Sequence, residues 1–424
     1  NNKKIYINGI EVGSNNNSNG NMINNGENLN IGRHPNGPEN YNGLIDEMTV
    51  WNIALDQEEI QSQMNQELTG AEEGLVGYWN FNDGDGDVLT DFSGNGNHGT
   101  INGATWSDDV PQPPHSGPEW FVSEGGSDEN NGSSDYPFAT IQYAINSAND
   151  DESVFVGPGT YVENIDLSGR SLGLISTDGS ESTIIDGGQN GRVVTFGNFN
   201  SPDAYSIING FTIRNGSNAS GAGIMIYYGN MDLVNLVIEN NESTADDGGG
   251  FSIEYGQANI DNCLIRNNNA NRGGGLAIRV DSEVNVIESV IENNFASGKG
   301  GGIYISNANP QLENVIVKDN VCNGDQGGSG GGIMVEYSDL TTINNVSITN
   351  NSGIQGGGIF IDWNSNVELT NGTIFGNYAE SGGGLTMYAS TLSLLNSIVW
   401  GNPSGNNQQM NLEGSTSITY SNIQ

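Results

Sequence analysis

Acidic, basic and aromatic residues recur directly after a short apolar strand that this chain repeats seven times. Carboxylates can work as acids, bases or hydrogen-bond acceptors, and an aromatic ring offers an apolar face to a ligand. If the repeats stack, residues at equal register lie about 4.8 Å apart and line one outward face. We call this column the stripe. Its members are Tyr227-Tyr228, Glu254-Tyr255, Arg279-Val280, Ser306-Asn307, Glu336-Tyr337, Asp362-Trp363 and Tyr388-Ala389.

Three stripe residues are candidates for catalysis. Glu336 and Asp362 fall in adjacent repeats, near the short separation of a carboxylate pair that hydrolyses a glycosidic bond with retention. Glu254 lies three repeats from Glu336, too far to act with it. Arg279, the only basic residue in the stripe, is a candidate base.

Other charged residues lie near the stripe in the sequence, and we expect none of them to join it. Arg266, Arg272 and Lys299 are expected on other faces of nearby repeats. A second acidic pair, 246–247, falls in a bend before a glycine phrase. All three histidines precede the repeats.

Glycine phrases mark the repeats that must position the stripe. Gly-x-Gly or Gly-Gly-Gly returns at steps of 25 to 30 residues, a period typical of a solenoid whose repeats stack to bury their apolar faces. The phrases begin at Gly221, Gly248, Gly273, Gly300, Gly330, Gly356 and Gly382. Each is followed by an alternating I-x-I strand and a second alternating pair such as Leu236/Ile238. We therefore expect two strands and bends in each turn, and no helix.

Two columns of asparagine accompany the second strand. Asparagine tolerates left-handed bends, and stacked amides can hydrogen-bond from turn to turn. We interpret both columns as structural ladders at the corners of the turns. One column is Asn241, Asn268, Asn294, Asn320, Asn351, Asn377 and Asn402, and the other is Asn235, Asn262, Glu288, Asn314, Asn345, Asn371 and Asn396.

Segments 136–145, 154–165, 184–187 and 208–216 resemble the opening coils of the pectin-lyase-like superfamily. The resemblance implies a right-handed parallel β-helix over about residues 119–424, with an amphipathic cap helix near 138–149. Ile141, Ala144, Ile145 and Ala148 do fall on one helical face. That fold hosts lyases, hydrolases, adhesins and passive stalks, so the resemblance favours no single activity.

Residues 1–110 lack the glycine and asparagine repeat and are predicted to form short strands with Asn/Gly turns. Segments 5–13, 29–33, 41–55, 75–81 and 91–106 are similar to the C-terminal half of laminin-G-like, concanavalin-like jelly rolls. The resemblance implies an incomplete antiparallel module, because strands expected upstream are missing. We favour a fragment of a larger protein over completion by another copy or partner. A proline-rich linker, 111–118, separates it from the β-helix.

A calcium site is predicted in the N-terminal module. Asp83, Asp85 and Asp87 alternate with glycine and are followed by Asp91, which gathers hard oxygen ligands as calcium loops do. The spacing departs from an EF-hand, because no glutamate stands at loop position 12 and no helices flank the loop. The alternative is a simple turn.

Composition limits the partners of the chain. Eleven Lys and Arg against 51 Asp and Glu give a net charge of −40, which repels nucleic acid, anionic membranes and acidic polymers.

No apolar run reaches the length of a membrane span. Two cysteines, Cys263 and Cys322, make no disulfide framework, and no bond between them is expected. Both resembled families are mostly extracellular, so we expect an extracellular or cell-surface location.

The sequence thus predicts an all-β, bacterial, secreted or surface protein that acts as an adhesin or binds a polysaccharide or glycoconjugate, with the β-helix as rigid stalk and platform. One alternative is a polysaccharide lyase or glycoside hydrolase acting through the stripe. Another is a structural spacer or filament subunit, with further domains of a parent chain or other copies as partners. The expected glycan contacts are Tyr227, Tyr228, Glu254, Tyr255, Arg279, Glu336, Tyr337, Asp362, Trp363 and Tyr388.

Overall fold

A computed structural model describes residues 3–15, 26, 28–34, 37, 39–64, 68–107, 115–197, 199–200, 202–324 and 329–423. The chain divides into two compact units, Asn1–Pro114 and His115–Gln424. Half of the predicted linker, residues 111–114, lies outside the described residues. Among the described residues, no helix is long and apolar enough to cross a membrane.

The described residues of the N-terminal unit form three antiparallel strand pairs. These are Lys3–Ile7 with Ile10–Asn15, Met48–Trp51 with Leu75–Trp79, and Val88–Leu89 with Gly99–Thr100. Segment 29–33 contributes only an isolated bridge, between Arg33 and Asn40. The antiparallel character predicted for this unit is therefore confirmed, although its strands are short.

A helix in this unit, Gln57–Gln63, was not predicted. Its N-cap is Asp56, whose carboxylate accepts the Glu59 backbone N–H at 2.9 Å while the Glu59 carboxylate accepts the Asp56 N–H at 2.7 Å. This reciprocal capping box satisfies amide groups that a helix start leaves unpaired. The Asp-x-x-Glu spacing was present in the sequence and is the signal that the strand interpretation overlooked.

The C-terminal unit is a parallel β-solenoid built from three sheets, of which the two larger extend from its first coils to its last described strands. The largest has 18 strands: Glu119–Val122, Glu152–Val156, Ile165–Asp166, Leu172–Ser176, Val194–Phe196, Tyr205–Asn209, Ile224–Val234, Phe251–Asp261, Leu276–Arg279, Glu283–Ile287, Ile303–Ser306, Gln311–Glu313, Ile333–Glu336, Thr341–Asn344, Ile359–Asp362, Asn366–Thr370, Leu385–Leu395 and Met410–Thr419.

Two smaller sheets form the other sides of the stack, and the strands of the smaller one lie between Ser217 and Ser381. The 11-stranded sheet contains Gly159–Val162, Thr183–Asp186, Thr212–Arg214, Val237–Glu239, Leu264–Arg266, Val290–Glu292, Ile316–Lys318, Ser347–Thr349, Thr373–Phe375, Ile398–Trp400 and Asn422–Ile423. The 7-stranded sheet contains Ser217–Asn218, Glu242–Ser243, Asn269–Arg272, Phe295–Lys299, Val321–Cys322, Ser352–Gln355 and Tyr378–Ser381. The predicted parallel solenoid is confirmed.

Each coil has more strand than the two segments predicted. The strand after the glycines bends and continues into a second row of the large sheet, as in Ile224–Val234. The bend falls at Tyr228, which has a left-handed φ of 60°, and at the following Gly229. Beyond it Met231 and Leu233 point into the core and are almost fully buried. Alternation resumes after the bend, so a second inward pair exists in every coil.

A helix at Ile141–Ser147 lies within the predicted cap segment. The Thr140 hydroxyl caps it by accepting the Tyr143 backbone N–H, and Ile141, Ala144 and Ile145 are buried against the first coils. Their spacing puts all three on one face, which is what an amphipathic helix needs to cover an apolar core.

The inner asparagine column is a continuous buried ladder. Asn268 Oδ1 accepts both the backbone N–H and the side-chain amide of Asn241, each at 3.0 Å. Asn268 Nδ2 donates at 2.9 Å to the Ile238 carbonyl of the preceding coil. Asn235 and Asn262 belong to the outer column, where exposed amides bond at 2.7 Å. Both columns are structural, as predicted, with the left-handed residue of the inner corner one position earlier than expected.

Candidate functional site

The stripe lies on the outward face of the large sheet, where each strand meets its bend. Residues of consecutive coils pair in register from Tyr227 through Glu254, Arg279, Ser306 and Glu336 to Asp362. The predicted alignment of this column is therefore confirmed. The register also places Glu254 three coils from Glu336, as expected.

Beneath the stripe, the outward residue two positions earlier is buried in each of these coils. Ala277, Tyr304, Met334 and Phe360 form an apolar cluster of their own, with Tyr388 packed against it. The Tyr388 ring meets the Phe360 ring edge-on at 5.6 Å. The sheet face under the stripe is thus a packed layer, and it fixes the strands from which the stripe residues project.

A buried ion-pair cluster occupies the first coils of the stripe. Asp247, which has no exposed surface, accepts hydrogen bonds from Arg272 Nε at 2.5 Å and Arg272 Nη2 at 3.0 Å. Arg279 Nη1 contacts Asp247 and also bonds Glu254 at 3.0 Å. Arg272 reaches Asp246 as well. Burial raises the pKa of Asp247 to about 6, against the opposing effect of the two guanidinium groups.

Glu336 is the second buried carboxylate of the site. Its Oε2 lies 2.5 Å from Lys299 Nζ, and its Oε1 accepts the Tyr304 hydroxyl at 2.5 Å. Arg272 lies over the Tyr304 ring at 5.4 Å from its centre, which connects this group to the Asp247 cluster. The Asp362 carboxylate instead accepts the backbone N–H of Trp363 at 2.7 Å.

The candidate catalytic residues therefore already have partners. Arg279 is shared between two carboxylates, and Glu336 faces Lys299 and Tyr304 of preceding coils. Glu336 and Asp362 lie on adjacent strands, but within the described residues no hydrogen bond joins their side chains or aims them at a common point. To act in catalysis, Glu336 and Arg279 would each first have to lose a charged partner.

Arg272 and Lys299 end strands of the 7-stranded sheet, so their backbones do lie on another face, as expected. Both stand one residue before a glycine phrase, at the position that Asp247 also occupies, and an isolated bridge joins Asp247 to Arg272. From there the Lys299 side chain reaches Glu336 of the stripe, and Arg272 reaches Asp247, which the stripe residue Arg279 also contacts. Arg266 does lie elsewhere, on the 11-stranded sheet, where it pairs with Glu239 at 2.7 Å. The shared offset from the glycines was the signal that could have placed them.

Four aromatic residues of the stripe occupy left-handed bends. Tyr228, Tyr255, Tyr337 and Trp363 have φ between 55° and 60°, a conformation that is unfavourable for bulky residues. Tyr228 and Tyr255 stack at 5.0 Å with planes 10° apart, and Tyr337 and Trp363 stack at 5.6 Å with planes 18° apart. Ring stacking of this kind contributes about 0.5–1.5 kcal/mol and offsets part of the backbone strain.

The two ring stacks remain accessible to solvent. Tyr255 is 39% exposed, Tyr337 47% and Trp363 53%. Val280 and Asn307 occupy the bends of the two coils between the stacks and carry no ring. The stripe therefore presents two aromatic platforms separated by two coils without a ring.

In the N-terminal unit, the acidic loop is held by its own backbone. Asp91 is buried and accepts the N–H groups of Tyr78 at 3.0 Å, Ser93 at 2.9 Å and Asn97 at 2.7 Å. Asp83 accepts the Thr90 N–H at 2.8 Å.

The predicted calcium ligands are not gathered into one group. Asp85 and Asp87 are exposed, and among the described residues no group of three His, Cys, Asp or Glu side chains is arranged to hold a metal. The residues therefore fit a hydrogen-bonded turn better than a calcium site, and calcium binding stays a prediction. Cys263 and Cys322 are both buried and free.

Three segments match known protein families. Residues 193–355 match a family described as a right-handed β-helix region, and residues 1–61 match the concanavalin A-like lectin/glucanases superfamily. Residues 124–168 match a family of unknown function. No curated protein matches the chain.

Several solved structures are similar to the chain. A pectate lyase is 16% identical over 72% of this chain and 78% of its own, with a TM-score of 0.37. A pectin methylesterase from Aspergillus niger, in deglycosylated form, is 13% identical over 71% and 91%, with a TM-score of 0.38. The A-module of a mannuronan C-5 epimerase from Azotobacter vinelandii is 14% identical over 66% and 94%, with a TM-score of 0.30. Likenesses at this level carry no argument about activity.

Proposed function

We propose that this protein, in which a laminin-G-like segment precedes a right-handed parallel β-helix, binds neutral polysaccharides outside the cell, with the β-helix as a rigid platform. The observation that carries the proposal is the pair of exposed ring stacks, Tyr228–Tyr255 and Tyr337–Trp363, at one register of the stripe. A polysaccharide chain presents repeated apolar ring faces, and solvent-accessible aromatic residues at fixed spacing suit such a ligand.

The charges of the site favour a neutral ligand. The cations of the stripe region, Arg272, Arg279 and Lys299, are each paired with a carboxylate, so none of them is held ready for an acidic sugar. The net charge of −40 would repel an acidic polymer before contact. Hydroxyl groups could instead meet the exposed Asn307 or the partly exposed carboxylate of Asp362.

The N-terminal segment supports the same function. Its matched superfamily is named for lectins and glucanases, and binding of carbohydrate is common to both. A second carbohydrate-binding module on the same chain would raise the avidity for a long polymer, provided that both modules can engage it together.

The test is retention of the full chain on neutral polymers, such as xylan, mannan and β-glucan, and on acidic ones, such as pectate and alginate. Trp363→Ala and Tyr255→Ala are compared with Phe375→Ala and Trp400→Ala. The control residues are paired in register and are 48% and 42% exposed on the 11-stranded sheet. We expect about tenfold weaker retention on neutral polymers for the stripe variants alone, because aromatic anchors dominate such surfaces.

The contrary results are equally clear. Unchanged retention in both pairs of variants would mean that the exposed aromatics merely pack on a β-face. Equal losses in both pairs would mean that binding is not specific to the stripe, and preferential retention on pectate or alginate would contradict the charge argument. New reducing or unsaturated ends during incubation would make the protein an enzyme.

A further inference from the structure

A polar pocket of about 230 Å³ lies around the bend from the Tyr228–Tyr255 stack, on the outward face of the second strand row. Two columns of side chains line it. The inner column is Asp232, Asn259 and Asn285, and the outer column is Asn230, Gln257 and Glu283. Tyr205 forms the wall at one end. None of these residues belongs to the stripe.

The inner column is already organised by hydrogen bonds. Asp232 accepts the Tyr205 hydroxyl at 2.5 Å and the Asn259 side-chain amide at 2.7 Å, and Asn259 accepts the Asn285 amide at 2.9 Å. The hydrogen bond to Asp232 raises the pKa of Tyr205 to about 12, so the phenol keeps its proton at neutral pH. The floor and wall are therefore fixed before any ligand arrives.

The side chains of the outer column are not organised in this way. Asn230, Gln257 and Glu283 pair in register across three consecutive coils. Within the described part of the chain, their side chains make no hydrogen bond. Two amides and a carboxylate, spaced by about 4.8 Å, thus offer both donors and acceptors to the same small space.

We propose that this pocket binds one neutral sugar ring, as a second subsite beside the stripe; the proposal deepens the proposed function and rests on it. Adjacent hydroxyls of a sugar match the donor and acceptor of Asn230 and Gln257, and the exposed Tyr205 ring gives the sugar an apolar wall. The pocket has no lysine or arginine in its lining, so an anionic sugar would lack a partner. Its volume suits a ligand smaller than a drug-sized molecule.

The position of the pocket connects it to the stripe. Asn230 and Gln257 follow Tyr228 and Tyr255 by two residues, across Gly229 and Gly256. A glycan chain on the ring stack could therefore place a branch or a chain end in the pocket. The ligand class that this arrangement favours is a neutral polysaccharide with such a branch or end within reach.

The test uses the full chain with the short neutral sugars cellobiose, xylobiose and mannobiose, because a disaccharide can fill the pocket without spanning the stripe. Binding is measured by calorimetry for the wild type, Asn230→Ala, Gln257→Ala and the control Gln311→Ala. Gln311 is exposed and pairs with Asn285 one coil beyond the pocket. Hydroxyl-radical footprinting locates the bound sugar, with Tyr205 reporting on the pocket and Trp363 on the stripe.

We expect one of the disaccharides to bind, with Tyr205 protected and Trp363 unchanged. Affinity should fall about fivefold to tenfold in Asn230→Ala and Gln257→Ala, through loss of a neutral hydrogen bond, and stay unchanged in Gln311→Ala. Absence of disaccharide binding at millimolar concentration, equal affinity in all variants, or protection at Trp363 alone would overturn the inference. So would binding of Ca²⁺ alone that is lost in Glu283→Gln, since the pocket would then be a cation site.

The pocket and the stripe can fail separately. Polysaccharide retention that is lost in Trp363→Ala but unchanged in Gln257→Ala would leave the proposed function standing and reject the pocket. Disaccharide binding that depends on Gln257, without any effect of Trp363→Ala on polymer retention, would support the pocket and reject the stripe.

Discussion

Asp247 and Arg272 occupy the same position of consecutive coils, and their side chains meet at 2.5 Å although Asp247 has no exposed surface. A buried carboxylate is tolerated only while its partners remain. Arg272→Ala should therefore lower the free energy of unfolding by about 3 kcal/mol, measured by urea denaturation. The charged carboxylate of Asp247 would then be paired with Arg279 alone.

Arg266→Ala is the matched control for this prediction. Arg266 pairs with Glu239 at 2.7 Å, but its side chain is 39% exposed, and pairs of this kind contribute about 0–1 kcal/mol. Similar shifts in the two variants would show that the Asp247 cluster is not a buried ion pair in solution.

The inner ladder gives a second prediction, because each of its amides serves two neighbours. Asn320 accepts the backbone and side-chain N–H groups of Asn294 and donates to the Ile291 carbonyl at 2.9 Å. Asn320→Ala would leave these buried groups unpaired, at a cost of about 1–3 kcal/mol for each unsatisfied group. The unfolding midpoint in urea should fall sharply.

A substitution in the outer asparagine column shows how much of the stability loss in Asn320→Ala is due to burial rather than to the hydrogen bond itself. Asn345 donates to Asn314 at 2.7 Å, but both amides are exposed and water can replace the bond. Asn345→Ala should reduce stability by less than about 1 kcal/mol beyond the strain of its left-handed bend. A loss as large as that of Asn320→Ala would contradict the distinction between the two columns.

The repeat phrase predicted the solenoid because the geometry of each coil requires glycine and asparagine at fixed positions, and both residue types are visible in the sequence. The third glycine of each phrase lies against the ladder, and a Cβ on Gly275 would stand 2.8 Å from the Gly302 carbonyl oxygen and 3.0 Å from Asn294 Nδ2. Only glycine fits at such positions, so glycine recurs in the sequence at the period of the coils. The second strand row was missed because its bend is made by Tyr228 or Trp363, residues that do not signal a left-handed conformation.

The ion pairs of the site were harder to predict for a different reason. Arg272 and Lys299 precede glycines in a segment without an apolar pattern, so the sequence did not say which way their long side chains point. The stripe was aligned correctly because each member follows an inward strand residue. The contacts of the stripe residues were not predicted, because the partners of Glu336 lie 32 and 37 residues earlier in the sequence.

Gly275→Ala tests the close contact between coils directly. The added methyl group would meet backbone of the next coil, which cannot move without disturbing the ladder, and overpacking of this kind costs about 1–3 kcal/mol. Thermal unfolding should begin at a lower temperature. Gly13→Ala is the control, because its Cβ would meet nothing within 4 Å. Unchanged unfolding in Gly275→Ala would mean that the coils are spaced more loosely than described.

Asp91 provides the pH prediction. Burial opposes its charge, but hydrogen bonds from the N–H groups of Tyr78, Ser93 and Asn97 lower the pKa of Asp91 from 3.8 to about 2. A carboxyl group with a lowered pKa stabilises the folded state above its unfolded pKa. That contribution, about 2 kcal/mol, should be complete above about pH 5 and lost as the pH falls through 2. Asp91→Asn should remove it at neutral pH.

Hydrogen exchange of peptides covering residues 75–100 measures this local stability in the full chain, with and without calcium. We expect faster exchange in Asp91→Asn at pH 6, a smaller difference from wild type as the pH approaches 2, and no effect of the exposed control Asp85→Asn. Because the Asp91 carboxylate accepts hydrogen bonds from backbone amides, added calcium or EDTA should leave these differences in exchange unchanged. Protection by calcium that requires Asp83, Asp85 and Asp87 would instead establish the metal site that the sequence predicted and show that the loop rearranges to form it.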